Sequence, residues 1–443
     1  MSNLKIVLVG GGSVLWTPVI ARDLMLTASL SDAEIVLYDI HKEASDRTAA
    51  FCGKLAATLG VSARFVSTDR REQALAGANY IIITITTGGL DAMAHDLAIP
   101  EQYGIYHTVG DTSGPGGWAR LIRNFDVFAS LAQDINRYAP GAVVLNYTNP
   151  MSMLTDVLAR LYEGPVVGLC HGLFENLEFI KDLYGLESEN DIAVHYGGLN
   201  HFFWMTKARA HTTDVIADLA SRLETQSFTD LKRPFTDDGE IGSDREVASE
   251  LFHLTGVLPY LGDRHTCEFF SWYITNPDNL SKYKLVRTTI AERKARAAQS
   301  ARDLRSMIEG EIPGDYMKRS RETAADIIDA HSQGRVFIDV GNLPNVGQIA
   351  GLAHGVVVET AVRVDGNGFT PLAFGPLPRV VQEFVESWAV VYTMTVDACF
   401  AGNMKLALQA LRLDPVCAHL NGLQVIELGE RLLAAHQSHI TAF

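Results

Sequence analysis

Leu4-Lys5-Ile6-Val7-Leu8-Val9-Gly10-Gly11-Gly12-Ser13 is the stretch that decides the fold. A six-residue strand-like run ends directly in three glycines and a serine. A helix-like segment follows, with Pro18 where a first helical turn tolerates it. A second strand-like run, Glu34 to Tyr38, closes with Asp39. This is the layout of a dinucleotide site. Gly10, Gly11 and Gly12, with Ser13 beside them, let the backbone approach a pyrophosphate at a helix N-terminus, and Asp39 can accept from ribose hydroxyls. An acid at that place repels a 2′-phosphate, so NAD is favoured over NADP. The run departs from G-x-G-x-x-G, because Leu15 holds the third glycine position. A purely structural turn is the competing reading; the flanking strand, Pro18 and Asp39 weigh against it.

Outward from this unit the rhythm repeats. Strand-like runs fall at residues 5–9, 34–38, 63–66, 80–86, 142–147 and 166–169, and helix-like segments at 17–27, 43–59 and 119–137 lie between them. The run Ile81-Ile82-Ile83-Thr84-Ile85 suits a strand buried on both faces. Alternation of this kind predicts a parallel sheet covered on both sides, with ligands at the carboxyl ends of the strands. Those ends carry Thr86-Thr87-Gly88-Gly89, read as a second close approach to the same cofactor, and Asn146-Tyr147-Thr148-Asn149-Pro150. Beyond about residue 170 the rhythm changes. Residues 195–210 read as a long strand or a bent pair, 292–308 and 327–331 as helices, 356–364 as a strand, and 378–409 as one or two long helices. The polar stretch 225–240 reads as a surface loop. The fold class is therefore α/β: a Rossmann-like doubly wound parallel sheet over residues 1–170 and an α+β domain over 171–443, as in lactate and malate dehydrogenases.

Bulk properties narrow the function. With 443 residues, 47% of them hydrophobic, the chain can bury a large core. Thirty-seven basic against 52 acidic side chains give a net charge of −15, which opposes binding to nucleic acid. Five scattered cysteines argue against a disulfide framework and for a reducing, cytoplasmic setting. The N-terminal apolar strand is too short for a signal-peptide core, and no apolar run approaches the ~20 residues of a membrane span.

Cys170-His171-Gly172 follows the sixth buried strand, which puts a cysteine at the carboxyl edge of the sheet, at the nicotinamide end of a bound cofactor. His201 lies among apolar and aromatic residues in Gly197-Gly198-Leu199-Asn200-His201-Phe202. Alone, either residue reads most simply as packing, and the spacing matches no compact zinc motif. Together with four further segments they carry a resemblance. Gly10-Gly11-Gly12-Ser13, Asp111-Thr112-Ser113-Gly114-Pro115-Gly116-Gly117, Asn146-Tyr147-Thr148-Asn149-Pro150-Met151, Cys170-His171-Gly172, Gly198-Leu199-Asn200-His201 and Gly262-Asp263-Arg264-His265 occur in one order across residues 10–265. In them the chain resembles the family 4 glycoside hydrolases, the NAD- and metal-dependent exception to the two-carboxylate rule.

The resemblance implies a mechanism and a set of roles. NAD⁺ takes hydride from sugar C3, a base removes the acidified C2 proton, the leaving group departs from C1, water adds, and the hydride returns. NAD is then a bound catalyst rather than a co-substrate. Cys170 and His201 are the implied protein ligands of a divalent metal, usually manganese; a thiolate by itself suits zinc or iron as well. Asp263 matches the base of the α-glycosidase branch, and Tyr260 is the alternative, by analogy with the branch that uses a tyrosine. Read without the resemblance, Gly262-Asp263 is simple turn chemistry. His171 stands where the phospho-α-glucosidase branch has an aspartate; it is either the general acid or a substrate contact. Asn149 is expected to hold a sugar hydroxyl, Asp111 to line the metal and substrate side of its loop, and Arg264 and His265 to touch substrate.

Cys-His-Gly is similar to the branch acting on unphosphorylated α-glycosides. That implies an α-glucuronide or α-galacturonide substrate, with α-glucosides next, and a homo-oligomer, dimer or tetramer. A lactate/malate-type dehydrogenase of a sugar or hydroxy acid shares the N-terminal layout and is the competing reading.

Overall fold

A computed structural model describes residues 4–231 and 245–443. Six strands, β1 (Lys5–Val9), β2 (Glu34–Tyr38), β3 (Arg64–Thr68), β4 (Tyr80–Ile83), β5 (Val143–Asn146) and β6 (Val166–Gly168), pair in parallel in the order β3-β2-β1-β4-β5-β6. This is the Rossmann order, with its crevice where the order reverses between β1 and β4. Between the strands run α1 (Trp16–Met25), α2 (Lys42–Leu59), α3 (Arg71–Leu75), α4 (Gly89–Glu101), α5 (Gly114–Tyr138) and α6 (Met151–Leu161).

The unbroken apolar strands follow from burial on both faces. Ile6, Leu8, Ile35, Leu37, Ile82 and Leu145 pack on one side with Ile20 and Leu24 of α1. Val7, Val9, Val36, Ile81, Ile83 and Val144 pack on the other with Leu121, Ile122 and Phe128 of α5 and Leu154 of α6. Each such side chain removed from water contributes ~1.5–3 kcal/mol.

The second half extends the same sheet. β7 (Ile192–Leu199) and β8 (Phe202–Ala210) form a hairpin, the bent pair expected over 195–210. Strand Phe337–Pro344 joins β6 antiparallel through Asn342 opposite Gly168, and pairs with strand Val357–Asp365, whose Glu359 lies opposite Gly198 of β7. Near residue 170 the sheet thus changes from parallel to antiparallel without a break. The segment 378–409 is two helices, Arg379–Ala401 and Met404–Leu413, parted by Gly402 in the left-handed region at φ +58°. Of the polar stretch 225–240, Phe228–Leu231 is a single helical turn and residues 232–240 lie outside the described residues. No helix among the described residues is long and apolar enough to cross a membrane.

Several expected boundaries move: the strand expected over 80–86 ends at Ile83, and the helix expected over 327–331 is Ala324–Gln333. Helix α5 begins at Gly114, not at residue 119. The glycine run reads as loop, yet it forms the first helical turn because the preceding loop folds back onto it. A side-chain carbon at Gly116 would lie 2.8 Å from the Gly110 carbonyl oxygen, and one at Gly117 2.5 Å from that of Thr112.

Candidate active site

The glycine turn is pressed between the ends of β2 and β4. Gly10 has φ +94°, and an added Cβ would lie 2.5 Å from the Thr84 carbonyl oxygen. At Gly12 the added carbon would lie 2.8 Å from Asp39 Oδ2. Gly10 and Gly11 both donate to the Tyr38 carbonyl at 2.9 Å, and Ser13 donates to Gly10 at 3.0 Å. Asp39 accepts the Gly12 amide on Oδ2 and the His41 amide on Oδ1, each at 2.9 Å. The acid therefore shapes the turn, and its remaining lone pairs still suit ribose hydroxyls. Among the described residues the amides of Val14 and Leu15, just before α1, have no intramolecular acceptor. They are the donors that a phosphate at this helix start would meet. Thr87 is held from inside: its amide and hydroxyl donate to Asn124 Oδ1 at 3.0 and 2.7 Å, and its carbonyl accepts from Arg123. Arg123 is fully buried and paired with Asp96 at 2.7 Å.

Asp111, His201 and His265 each aim one ligand atom into a common space, all within 4.8 Å of one another. Three unrelated segments deliver them. Asp111 comes from the loop folded against α5. That loop is fixed by Glu268, a fully buried carboxylate accepting the amides of Thr108, Val109 and Gly110 at 2.7, 2.7 and 3.0 Å. His201 sits at the tip of the β7–β8 hairpin with φ +59°, a region that favours glycine. His265 lies in the short helix Asp263–Thr266, its ring centroid 3.9 Å from that of His201.

Electrostatics fit a ligand set. Burial alone would raise the pKa of Asp111, but His265, Arg120, His201 and the Thr112 hydroxyl outweigh it and hold the carboxyl below the usual range. Burial, then His265, pushes His201 well below its ordinary 6.5 against the opposing pull of Asp111, so the imidazole is neutral at pH 7.

Cys170, expected beside His201 as a ligand, is not one of the three residues whose ligand atoms lie within 4.8 Å, and it approaches them by way of Tyr260. Its sulfur accepts the Gly172 amide at 3.4 Å. A Cβ placed on Gly172 would lie 3.6 Å from that sulfur and 3.4 Å from the Tyr260 ring, and Tyr260 in turn stacks on His201 with centroids 5.9 Å apart. Burial, then Glu359, pushes the thiol pKa up.

The other expected residues divide. Asn149 keeps a buried Oδ1 with no partner among the described residues, while its carbonyl accepts from Arg120 Nε at 2.9 Å. His171 is exposed, its Nδ1 3.3 Å from Glu322 and its ring 6.4 Å from that of Trp16. Arg264 reaches the Thr288 hydroxyl, and its carbonyl accepts from Thr108; in this position it builds the frame. Asp263, expected as the base, is fully buried. Its two oxygens accept the amides of Val247 and Ala248 at 2.8 and 2.9 Å, which caps helix Glu246–Thr255. Burial pushes it up to about 7 against those two bonds. Tyr260, the alternative, faces the cluster; burial, then the Glu175 carboxylate beside it, pushes its phenol well above the ordinary range.

Sequence reading passed over Thr112, Arg120, Glu268 and Glu359. Glu359 accepts from Asn200 and Asn342 at 3.1 and 2.8 Å beside Cys170, and burial pushes it up to about 7. It had one signal: a lone acid in the run Val356-Val357-Val358-Glu359-Thr360-Ala361-Val362.

A Rossmann sheet that holds a mixed carboxylate–imidazole cluster beside a thiol defines a nucleotide-binding protein with a metal centre. The comparisons agree and go further. Residues 5–186 match the model of family 4 glycosyl hydrolase, and residues 196–417 that of the family 4 glycosyl hydrolase C-terminal domain. An alpha-galacturonidase of Thermoanaerobacter italicus is 31% identical over 428 residues, covering 94% of this chain and 92% of the relative. One from Bacillus subtilis is 32% identical over 427 residues, covering 94% of each. The crystal structure of Bacillus subtilis lplD, which carries a glucosidase assignment, superposes with a TM-score of 0.87 at 29% identity, over 97% of this chain and all of that one. The chain belongs to glycosyl hydrolase family 4 and is a glycosidase.

Proposed function

We propose that the chain hydrolyses an unphosphorylated α-glycoside, an α-galacturonide first, with α-glucuronides and α-glucosides behind it, and that it uses bound NAD and Mn²⁺. The observation that carries this is the convergence of Asp111, His201 and His265 beside Cys170, next to a nucleotide turn. Relatives named alpha-galacturonidase, 28–32% identical, support the sugar. A 6-phospho-beta glucosidase of Thermotoga maritima was solved with manganese, NAD⁺ and glucose-6-phosphate; at 21% identity its TM-score of 0.81 supports the fold alone.

The residues fit both groups. Carboxylate oxygen and two imidazoles add harder donors to the thiol, which suits Mn²⁺ better than a thiolate-rich set would. The Val14 and Leu15 amides and Asp39 suit the phosphate and ribose of NAD. When bound, these groups supply reversible oxidation at sugar C3 and stabilise negative charge on the sugar oxygens.

The side chains do the rest. Asn149 Oδ1, buried and unpartnered among the described residues, accepts a sugar hydroxyl. Tyr260 takes the C2 proton on its phenolic oxygen while passing its own proton to Glu175, which replaces the Asp263 assignment. His171 at the exposed mouth, supported by Glu322, protonates the leaving oxygen. All five cysteines are free, which supports a reducing, cytoplasmic setting.

The test is turnover of 4-nitrophenyl α-galacturonide, α-glucuronide and α-glucoside with NAD⁺, Mn²⁺ and a reductant. Turnover of the α-galacturonide without NADH build-up at 340 nm is expected. Activity confined to 6-phosphoglycosides would overturn the substrate, and steady NADH accumulation would return the dehydrogenase reading.

A further inference from the structure

Two hydrogen bonds meet on one buried hydroxyl. Thr112 Oγ1 donates to Asp111 Oδ1 at 2.7 Å and lies 3.0 Å from His201 Nδ1. A threonine hydroxyl has a single proton and two lone pairs, whereas a carboxylate only accepts. The Thr112 proton is therefore committed to Asp111. The contact with His201 then needs its proton from the imidazole, so Nδ1–H donates to the Thr112 oxygen. In a neutral ring this leaves the lone pair on Nε2.

We propose that Thr112 is a positioning residue that locks His201 in the Nδ1–H tautomer and so reserves Nε2 for a divalent cation. The inference rests on the metal-site reading above. The rest of the ring's freedom is already removed: the backbone at φ +59° sets where the side chain leaves the hairpin, and His265 and Tyr260 pack against the ring. Only the tautomer remains open, and free neutral histidine prefers the Nε2–H form, which would block the metal-binding nitrogen. Thr112 is 3% exposed and His201 6%, so water does not supply the same acceptor. Asp111 acts twice here, once on the hydroxyl and once as a member of the ligand cluster.

The experiment compares wild type, Thr112→Ser and Thr112→Val. Mn²⁺ affinity is read from the free-ion paramagnetic resonance signal. Ring tautomers are read from metal-free protein labelled with nitrogen-15 histidine, with His201 assigned by its loss in His201→Gln. Valine should weaken Mn²⁺ binding ~10–100-fold, and serine by less than about threefold. The His201 ring should move to the Nε2–H form in the valine variant alone, with NAD affinity and melting temperature near wild type in both. A valine variant that binds Mn²⁺ as wild type does, or keeps Nδ1–H, overturns the role of Thr112 and leaves the metal site standing. Wild type that fails to bind Mn²⁺ at all removes the metal site, and the inference with it.

Discussion

His201 occupies a backbone conformation that costs a non-glycine residue roughly 1–2 kcal/mol. A chain selected only for stability would place glycine or asparagine there. The strain is held by the hairpin on either side, where Leu199 pairs with Phe202. Asp263 and Tyr260 pose the sharper question at this scale. They stand three positions apart, and either reads as a base, but the hydrogen bonds separate them. Asp263 is occupied by two helix-start amides, while Tyr260 stacks beside the cluster. Tyr260→Phe is accordingly expected to lower kcat about 100-fold or more with little change in melting temperature. Asp263→Asn, which keeps only one acceptor oxygen, is expected to cost ~1–2 kcal/mol of stability and far less of kcat. Urea melts and steady-state kinetics on both variants decide it. A normally stable, inactive Asp263→Asn enzyme would restore Asp263 as the base.

Elements share the work unevenly. The segment from Asp263 to Phe269 does three jobs within seven positions. Asp263 caps helix Glu246–Thr255, His265 enters the cluster, and Glu268 holds the loop that carries Asp111. The parallel strands were legible because a strand buried on both faces is apolar throughout. The start of α5 was not, because glycines that admit a folded-back loop look the same in sequence as glycines that form one. A comparable device closes helix Met404–Leu413, where Asp414 caps the turn Pro415–Cys417 by accepting the Val416 amide at 2.8 Å. Burial pushes Asp414 up to about 7, against the lowering effects of that bond and of His107. An unfolded aspartate titrates near ~3.9. The stability held by its protonated form is therefore complete below about pH 4 and is lost as pH rises to about 7. Asp414→Asn, which mimics the protonated form, should melt like wild type near pH 4 and several degrees higher at pH 8. Parallel melting curves at both pH values would remove this account.

At the scale of the whole molecule, exposed large apolar residues occur from Leu15 onward, and the three C-terminal helices carry a set of them. Val390 and Phe400 on helix Arg379–Ala401, Met404 and Leu413 on the next helix, and Leu423 and Ile426 on helix Gly422–Ala435 are all exposed. These are the apolar side chains that the homo-oligomer implied by the family resemblance would bury. Light scattering at micromolar concentration should return two or four times the chain mass, and charge substitutions at Leu413 and Ile426 should return the monomer. A monomeric wild type would end that proposal. At this largest scale the division between sequence and structure is clear. The sequence by itself determined the parallel sheet, the glycine turn with Asp39, and the cysteine at the strand end, because each is a local pattern whose meaning lies within a few neighbouring residues. Only the tertiary structure decided that Asp111 and His265 join His201, that Asp263 turns to a helix start, and that Thr112 meets His201 across 89 positions. Hydrogen-bond partners on separate segments depend on how loop, hairpin and helix pack together, and periodicity along the chain carries no record of that packing.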